Sequence, residues 1–333
     1  MTDYQRELDL AAGKLKKQQT WTIVCHENPD GDTLGCGLAL YALGKRLGKQ
    51  VRLMGHDEVP VRYAFLPCSD EYEALERIPA EAKDSLIVSV DASTLSRSLP
   101  GLEEILEVCR DSVNFDHHGD DTRFCATNVV SDKASATAEI IMDLIEAAGW
   151  ELQKPEAISL YTALTTDNGS FRFNSTSPHS HFCAAKLLAA GVDPSYVDDC
   201  VSENLSASEV KLWGLAYSRA ETFAEGRIAM FWLEKKDFDD AASNGSSVDG
   251  LVNMLLRIRG VKIALFLSEV WGVNKVSIRT RKPYSARALA SLFGGGGHAL
   301  AAGAKVSGTF KEAMATVRAT AEKYAADWNP AGK

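Results

Sequence analysis

Residues 22–48 read TIVCHENPDGDTLGCGLALYALGKRLG. The opening TIVC is a short β-branched and apolar run, the mark of a buried strand. It ends in His26, and Pro29 and Gly31 then punctuate a turn. From Thr33 to Gly48 the apolar residues take helical spacing. Strand, turn and helix make one half of a βαβ unit. The rhythm continues: VRLMG (51–55), SLIVSVD (85–91) and SVNFDHH (112–118) are further strand candidates with helical segments between them. The pattern predicts an α/β fold whose N-terminal domain is a doubly wound parallel sheet, buried on both faces. Ligands of such sheets bind outside the carboxyl ends of the strands. Three of the candidate strands end in ionisable residues: His26, Asp91, and Asp116 with His117 and His118.

Helical patterns dominate from Ser135 to Ala190, and Gly191 and Pro194 mark a turn. SASEVKLWGLAYSRAETFAEG (206–226) reads as a helix ending at Gly226. RIAMFWL (227–233), VKIALFLSE (261–269) and KVSIRT (275–280) are strand candidates of a smaller C-terminal α/β domain, with helices expected over 247–258 and 285–293. The expected division is 1–200 for the first domain, 201–226 for a connector and 227–330 for the second, as suits 333 residues.

Hydrophobic residues at 45% and charged residues at 24% exclude disordered, collagen-like and coiled-coil classes. The net charge of -9 argues against coating long duplex nucleic acid, which runs on phosphate neutralisation. A small anionic ligand held by local cations or metals remains open. Seven scattered cysteines without a C-x-x-C read as reduced thiols of a cytoplasmic protein. The first twenty residues lack the apolar core of a signal peptide, and no apolar run approaches the ~18 residues of a membrane span.

Five short clusters can carry chemistry. In His26-Glu-Asn-Pro-Asp30-Gly-Asp32 the turn lets an imidazole and two carboxylates project into one crevice, a donor set for Mn²⁺ or Mg²⁺; the plainer alternative has Asp32 capping the helix. Asp91 in Ser89-Val-Asp-Ala-Ser93 is by itself a turn or cap residue. In Asp116-His117-His118 an extended backbone sends the two imidazoles to opposite sides, so one can ligate metal while the other meets substrate and Asp116 orients a neighbour; a solvated loop is the alternative. Asp167, in Thr165-Thr-Asp-Asn-Gly169, would arrive from a helix end, although alone it is an ordinary turn. Gly294 to Gly297 followed by His298 is costly to order, and fits backbone approaching an anion more than a linker. Arg257, Arg259, Lys262, Lys275, Arg279, Arg281, Lys282 and Arg287 make the region upstream of this glycine run locally basic, as a solvated face or for phosphate recognition.

Taken in order, H-x-x-x-D-x-D, D-x-S, D-H-H, a later Asp and G-G-G-G-H-x-x-A-A-G closely resemble the DHH phosphoesterase superfamily, the last motif its DHHA1 subfamily, along nearly the whole chain. Length and layout are most similar to the oligoribonuclease and pAp-phosphatase group. The resemblance implies an active site in a cleft between a DHH and a DHHA1 domain, with two Mn²⁺ ions (Mg²⁺ or Co²⁺ as alternatives). His26, Asp30 and Asp91 would hold one ion. Asp32, Asp91, His117 and Asp167 would hold the other. Asp91, Asp116 and His118 would be catalytic, with His118 as hydrogen-bond donor or acid. Arg279, Gly295, Gly296, Gly297 and His298 would bind a phosphate or terminal nucleotide. One departure is Cys36, where the family's first motif often has Ser; it is expected to pack on the helix start and leave the metal site untouched.

The implied activity is hydrolysis of short oligoribonucleotides and of 3′-phosphoadenosine 5′-phosphate. Linear or cyclic dinucleotides and short single-stranded DNA are alternative substrates. The GGGGH run argues against a pyrophosphatase, and the intact ligand set against a non-catalytic nucleotide-binding module. The expected partners are short oligonucleotides and nucleotides, without long duplex or membrane; the resemblance allows a homodimer.

Overall fold

The computed structural model describes residues 2–242, 248, 250–270, 272–297 and 299–328, and the chain divides into two units, Met1–Asn204 and Leu205–Lys333. The first unit is built on six strands: β1 (Thr20–Cys25), β2 (Gln50–Gly55), β3 (Tyr72–Ala74), β4 (Leu86–Val90), β5 (Asp111–Asp116) and β6 (Thr127–Val130). All pairings are parallel and the order is β3-β2-β1-β4-β5-β6, so the chain reverses its direction of winding between β1 and β4. Seven helices belong to this unit: α1 (Asp3–Lys17), α2 (Gly31–Arg46), α3 (Leu102–Val108), α4 (Thr137–Ala147), α5 (Lys154–Asp167), α6 (Pro178–Ala189) and α7 (Pro194–Val201). Burial on both faces explains the largely apolar runs of β1 and β4, whereas β5 carries Ser112, Asn114 and Asp116 buried beside Val113 and Phe115. One core gathers Trp21, Leu38, Phe115, Ile141 and Leu160; a second, on Val24, Met54 and Ile87, receives Leu102 and Ile105 of α3.

The register places the site. Cys25 pairs with Val90, and Val90 with Phe115. The residues that follow each of these, His26, Asp91 and Asp116, therefore lie side by side at the carboxyl ends of the three strands, at the point where the winding reverses.

The second unit has α8 (Ala207–Ser218), β7 (Glu221–Phe223), β8 (Ile228–Leu233), α9 (Lys235–Asp240), a 3₁₀ segment (Leu251–Arg257), β9 (Ile263–Val270), β10 (Val273–Thr280), α10 (Ala286–Ser291), β11 (Gly296–Gly297), β12 (Ala301–Val306) and α11 (Phe310–Asp327). Its sheet runs β11-β12-β10-β9-β8-β7, antiparallel except for β8 with β9. Apolar clusters cover both faces, one around Leu265, Ile278 and Val317, the other around Phe231, Phe266 and Leu255.

Two expectations are corrected. The helix expected over 206–226 stops at Ser218; Glu221–Phe223 pairs with β8 instead, through a turn in which Ala224, Glu225 and Gly226 take positive φ. Ladder pairing with a strand five residues on outweighs local helix propensity. The helix expected over 247–258 is a 3₁₀ turn over Leu251–Arg257, entered through Gly250 at φ 84. Besides β7, four strands, β3, β6, β11 and β12, were not anticipated. Among the described residues no helix is long and apolar enough to cross a membrane.

Candidate functional site

The loop after β1 is short because α2 begins at once. Asp30, not Asp32, caps that helix: its Oδ1 accepts from the amides of Asp32 (3.0 Å) and Thr33 (3.2 Å). Asp32 sits in the first turn, 1% exposed, and points the other way. Its Oδ2 accepts from the Thr137 amide at 2.6 Å and its Oδ1 from the Ala138 amide at 3.2 Å. The carboxylate thus rests on the N-terminus of α4, where unpaired amides favour negative charge. The Thr137 hydroxyl donates to Asp91 Oδ1 at 3.0 Å, so one residue steadies two carboxylates. The chain pattern gave no sign of Thr137; only an ordinary helix start was visible there.

Asp167 closes the site as the last residue of α5. It reaches the site because α2 packs closely on α5. A Cβ at Gly31 would lie 2.3 Å from Thr166 Oγ1. Beyond Asp167, Asn168 is buried and donates to Ser135 Oγ (3.5 Å). Ser135 and Ser180 both donate to the buried Glu139 at 2.6 Å. This network ties the end of α5 to α4 and α6.

The imidazoles complete the cluster. His26 Nδ1 donates to the Glu27 carbonyl at 2.6 Å, which presents Nε2 to Asp91 Oδ2 (3.4 Å) and Asp30 Oδ1 (3.6 Å). His117 Nδ1 faces the Ala134 carbonyl (3.4 Å), and its Nε2 meets Asp167 Oδ2 (3.4 Å), Asp91 Oδ1 (3.6 Å) and Asp32 Oδ2 (3.8 Å). His118 is turned differently, with Nδ1 on Asp116 Oδ1 at 2.7 Å. Three overlapping groups of three donors emerge: His26 with Asp30 and Asp91, Asp32 with His117 and Asp167, and Asp91 with His117 and His118; Asp91 also lies within reach of the second.

Asp91 itself adopts φ 58, a backbone region uncommon for a residue with a Cβ. Its amide donates to the Phe115 carbonyl at 2.8 Å, which holds it there.

The electrostatics are those of a cluster lacking countercharge. In ion-pair reach of Asp30, Asp32, Asp91 and Asp167, the only cationic groups among the described residues are imidazoles. Burial, reinforced by the charges of Asp91 and Asp167, pushes Asp32 well above the usual carboxylate range. Burial lifts Asp167 to about 7, His117 opposing and Asp91 reinforcing. For His26, burial works downward, but hydrogen bonds to Asp30 and Asp91 win and hold it up at about 10. Oxygen-rich donors with imidazole nitrogens suit Mn²⁺, Mg²⁺ or a similar divalent ion. Such a charge would replace the protons the cluster otherwise retains.

Cys36 corrects an expectation. It does pack at the start of α2, fully buried, but its Sγ donates to Asp32 Oδ1 at 3.4 Å. It therefore touches the donor cluster, because four residues make one helical turn.

In the second unit, Arg279 lies on β10, with Nη1 donating to the Ile278 carbonyl at 3.1 Å. Two of the expected loop glycines have a structural cause. A Cβ at Gly295 would lie 2.2 Å from the Gly303 carbonyl oxygen, and one at Gly297, φ 133, would lie 2.7 Å from Ala301 O. Gly296 has open space around the same position. His298 lies outside the described residues.

The chain matches the DHH family, N-terminal domain, over residues 20–165 and the DHHA1 domain over residues 182–327. It is 33% identical to the bifunctional oligoribonuclease and PAP phosphatase of Thermus thermophilus, covering 92% of this chain and 90% of that protein. To the protein of the same description from Mycoplasma genitalium it is 27% identical, over 89% of this chain and 92% of that one. Its structure resembles an exopolyphosphatase-related protein from Bacteroides fragilis with a TM-score of 0.91 and 26% identity, over 97% of this chain and 98% of that one.

Proposed function

The chain belongs to the DHH family, with a DHHA1 domain behind the DHH domain, and on that premise we propose that it is a divalent-metal-dependent phosphohydrolase. In this reading it cleaves short oligoribonucleotides to mononucleotides and converts 3′-phosphoadenosine 5′-phosphate to AMP. The observation that carries the reading is the convergence of His26, Asp30, Asp32, Asp91, His117 and Asp167 on two adjacent donor groups. The activities of the Thermus and Mycoplasma relatives supply the substrate class.

His26, Asp30 and Asp91 would hold one Mn²⁺, and Asp32, Asp91, His117 and Asp167 the other. Two bound ions supply positive charge that activates water and offsets charge on phosphoryl oxygens. The protein's own groups do the rest. The Glu27 and Ala134 carbonyls fix the tautomers of His26 and His117, leaving Nε2 as the donor atom of each. Asp116 fixes His118 through Nδ1, so the proton available to a leaving oxygen sits on Nε2. Burial works downward on His118, but the hydrogen bond to Asp116 together with the charges of Asp91, Asp116 and Asp167 outweighs it and holds the group up at about 9, a value suited to a group that must carry a proton at neutral pH. Arg279, the backbone of Gly295 to Gly297 and His298 would bind a terminal phosphate. Gly296 fits that role best, because the fold itself leaves its surroundings open.

The test is a Mn²⁺-supplemented hydrolysis panel: pAp, di- to pentaribonucleotides, long RNA, cyclic dinucleotides and pyrophosphate. Mononucleotides from the shortest RNAs, together with AMP from pAp, are expected, and Asp91→Ala should abolish both. Absence of turnover on every substrate would overturn the reading.

A further inference from the structure

Asn114 and Asp116 alternate onto the same face of β5, and both are wholly buried. Asp116 spends Oδ1 on His118. Its other oxygen, Oδ2, is buried without a hydrogen-bond partner. Leaving such an atom unsatisfied is costly, because burial strips it of water with nothing in exchange. A neighbouring carboxyl is that of Asp121. The chain turns after His118, with the Asp121 amide on the His118 carbonyl at 3.3 Å. This turn returns the Asp121 carboxyl to hydrogen-bonding reach of Asp116. Asp121 is anchored there by Asn114, whose Nδ2 donates to Oδ2 at 2.7 Å, and by the Arg123 amide, which donates to Oδ1 at 2.6 Å.

Two carboxyl groups can meet in this way only if a hydrogen lies between them. Asp121 is the member able to carry it. Burial, with Asp116 beside it, raises its pKa to about 6, and a cavity of about 220 Å³ lined by His118, Gly119, Asp121, Arg123, Val130 and Asp132 adjoins it.

We propose that Asp121 is a positioning residue for the reaction: it donates the hydrogen that Asp116 Oδ2 lacks, clamping Asp116 and through it the orientation of His118. The rate effects rest on the phosphohydrolase reading above; the clamp itself does not.

The experiment compares Asp121→Ala, Asp121→Asn and Asp116→Ala, singly and with Asp121→Ala placed in the Asp116→Ala background. An Asn amide keeps one of the two anchored oxygens, that on the Arg123 amide, and donates a hydrogen at any pH. Asp121→Ala should lower kcat on a dinucleotide about 10-fold, with KM and Mn²⁺ affinity unchanged. Asp121→Asn should restore most of that loss. In the Asp116→Ala background, Asp121→Ala should cost nothing further, because a residue acting through Asp116 is silent once Asp116 is gone. An equal loss in both backgrounds, or no loss in either, overturns the proposal while leaving the activity standing. Should the wild type turn over no substrate, nitrogen NMR of His118 still decides. A single hydrogen-bonded His118 Nδ1–H in the wild type and Asp121→Asn, lost in Asp121→Ala, supports the clamp; the same spectrum in all three overturns it.

Discussion

The backbone amide of Thr137 lies 2.6 Å from Asp32 Oδ2, while its hydroxyl lies 3.0 Å from Asp91 Oδ1. One residue at the start of α4 thus spans both donor groups. Replacing Thr137 with Val keeps the shape and the amide but removes the donor to Asp91. Mn²⁺ affinity is expected to fall about 10-fold, as for other residues that orient a ligand. Isothermal titration with Mn²⁺ measures it, and an unchanged affinity would remove Thr137 from the site.

Metal and protons compete for the same groups. Asp167 is raised to about 7 and His26 to about 10 in the metal-free fold. A raised folded value contributes stability below the unfolded value and loses it as pH climbs to the folded one. The metal-free protein should therefore lose stability from Asp167 between about pH 4 and 7, and from His26 between about 6.5 and 10. Bound metal needs these groups deprotonated. Mn²⁺ should raise Tm more at pH 8 than at pH 6, and EDTA should reverse the gain. A gain of equal size at both values would contradict the assignment.

Gly31 leaves no room for a side chain. Gly31→Ala puts a Cβ against Thr166 and forces α2 and α5 apart, at about 1–3 kcal/mol. Denaturant unfolding should show this cost, and Thr166→Ala in the same chain should recover part of it. If the double variant is no more stable than Gly31→Ala, the clash is not the cause.

Burial and the neighbouring Asp32 push the Cys36 thiol well above its usual range. It should stay unmodified by thiol reagents in the native protein at neutral pH, and react once denatured. Cys36→Ser should keep the hydrogen bond to Asp32, whereas Cys36→Ala should weaken Mn²⁺ binding. Equal affinities in the two variants would show that the contact is idle.

What could be read from the chain was whatever is local. Apolar runs ending in His26, Asp91 and Asp116 announce strands whose tips carry function, and the register then aligns them. Choosing between Asp30 and Asp32 as the helix cap was beyond local pattern, since both precede the same apolar repeat. The contact that separates them comes from Thr137, 105 residues away. β7 was misread for a related reason: its residues carry helix-compatible pattern, and only the ladder with β8 makes them a strand. Gly295 and Gly297 looked like ligand-facing backbone, but the neighbouring β12 requires their lack of a side chain.

The strands at the margins of the two sheets are brief. β3 and β6 flank the parallel sheet with three and four residues, and β7 and β11 flank the mixed one with three and two. An unpaired strand margin is a template on which a second chain can polymerise, and its danger grows with its length. At β11 the margin offers two glycines and no side chain to grip. The longest ladders, β9 and β10 at eight residues each, lie in the interior, with neighbours on both sides. The fold thereby shields its most adhesive segments from self-association, and fibril formation would have to begin with wholesale opening of a sheet.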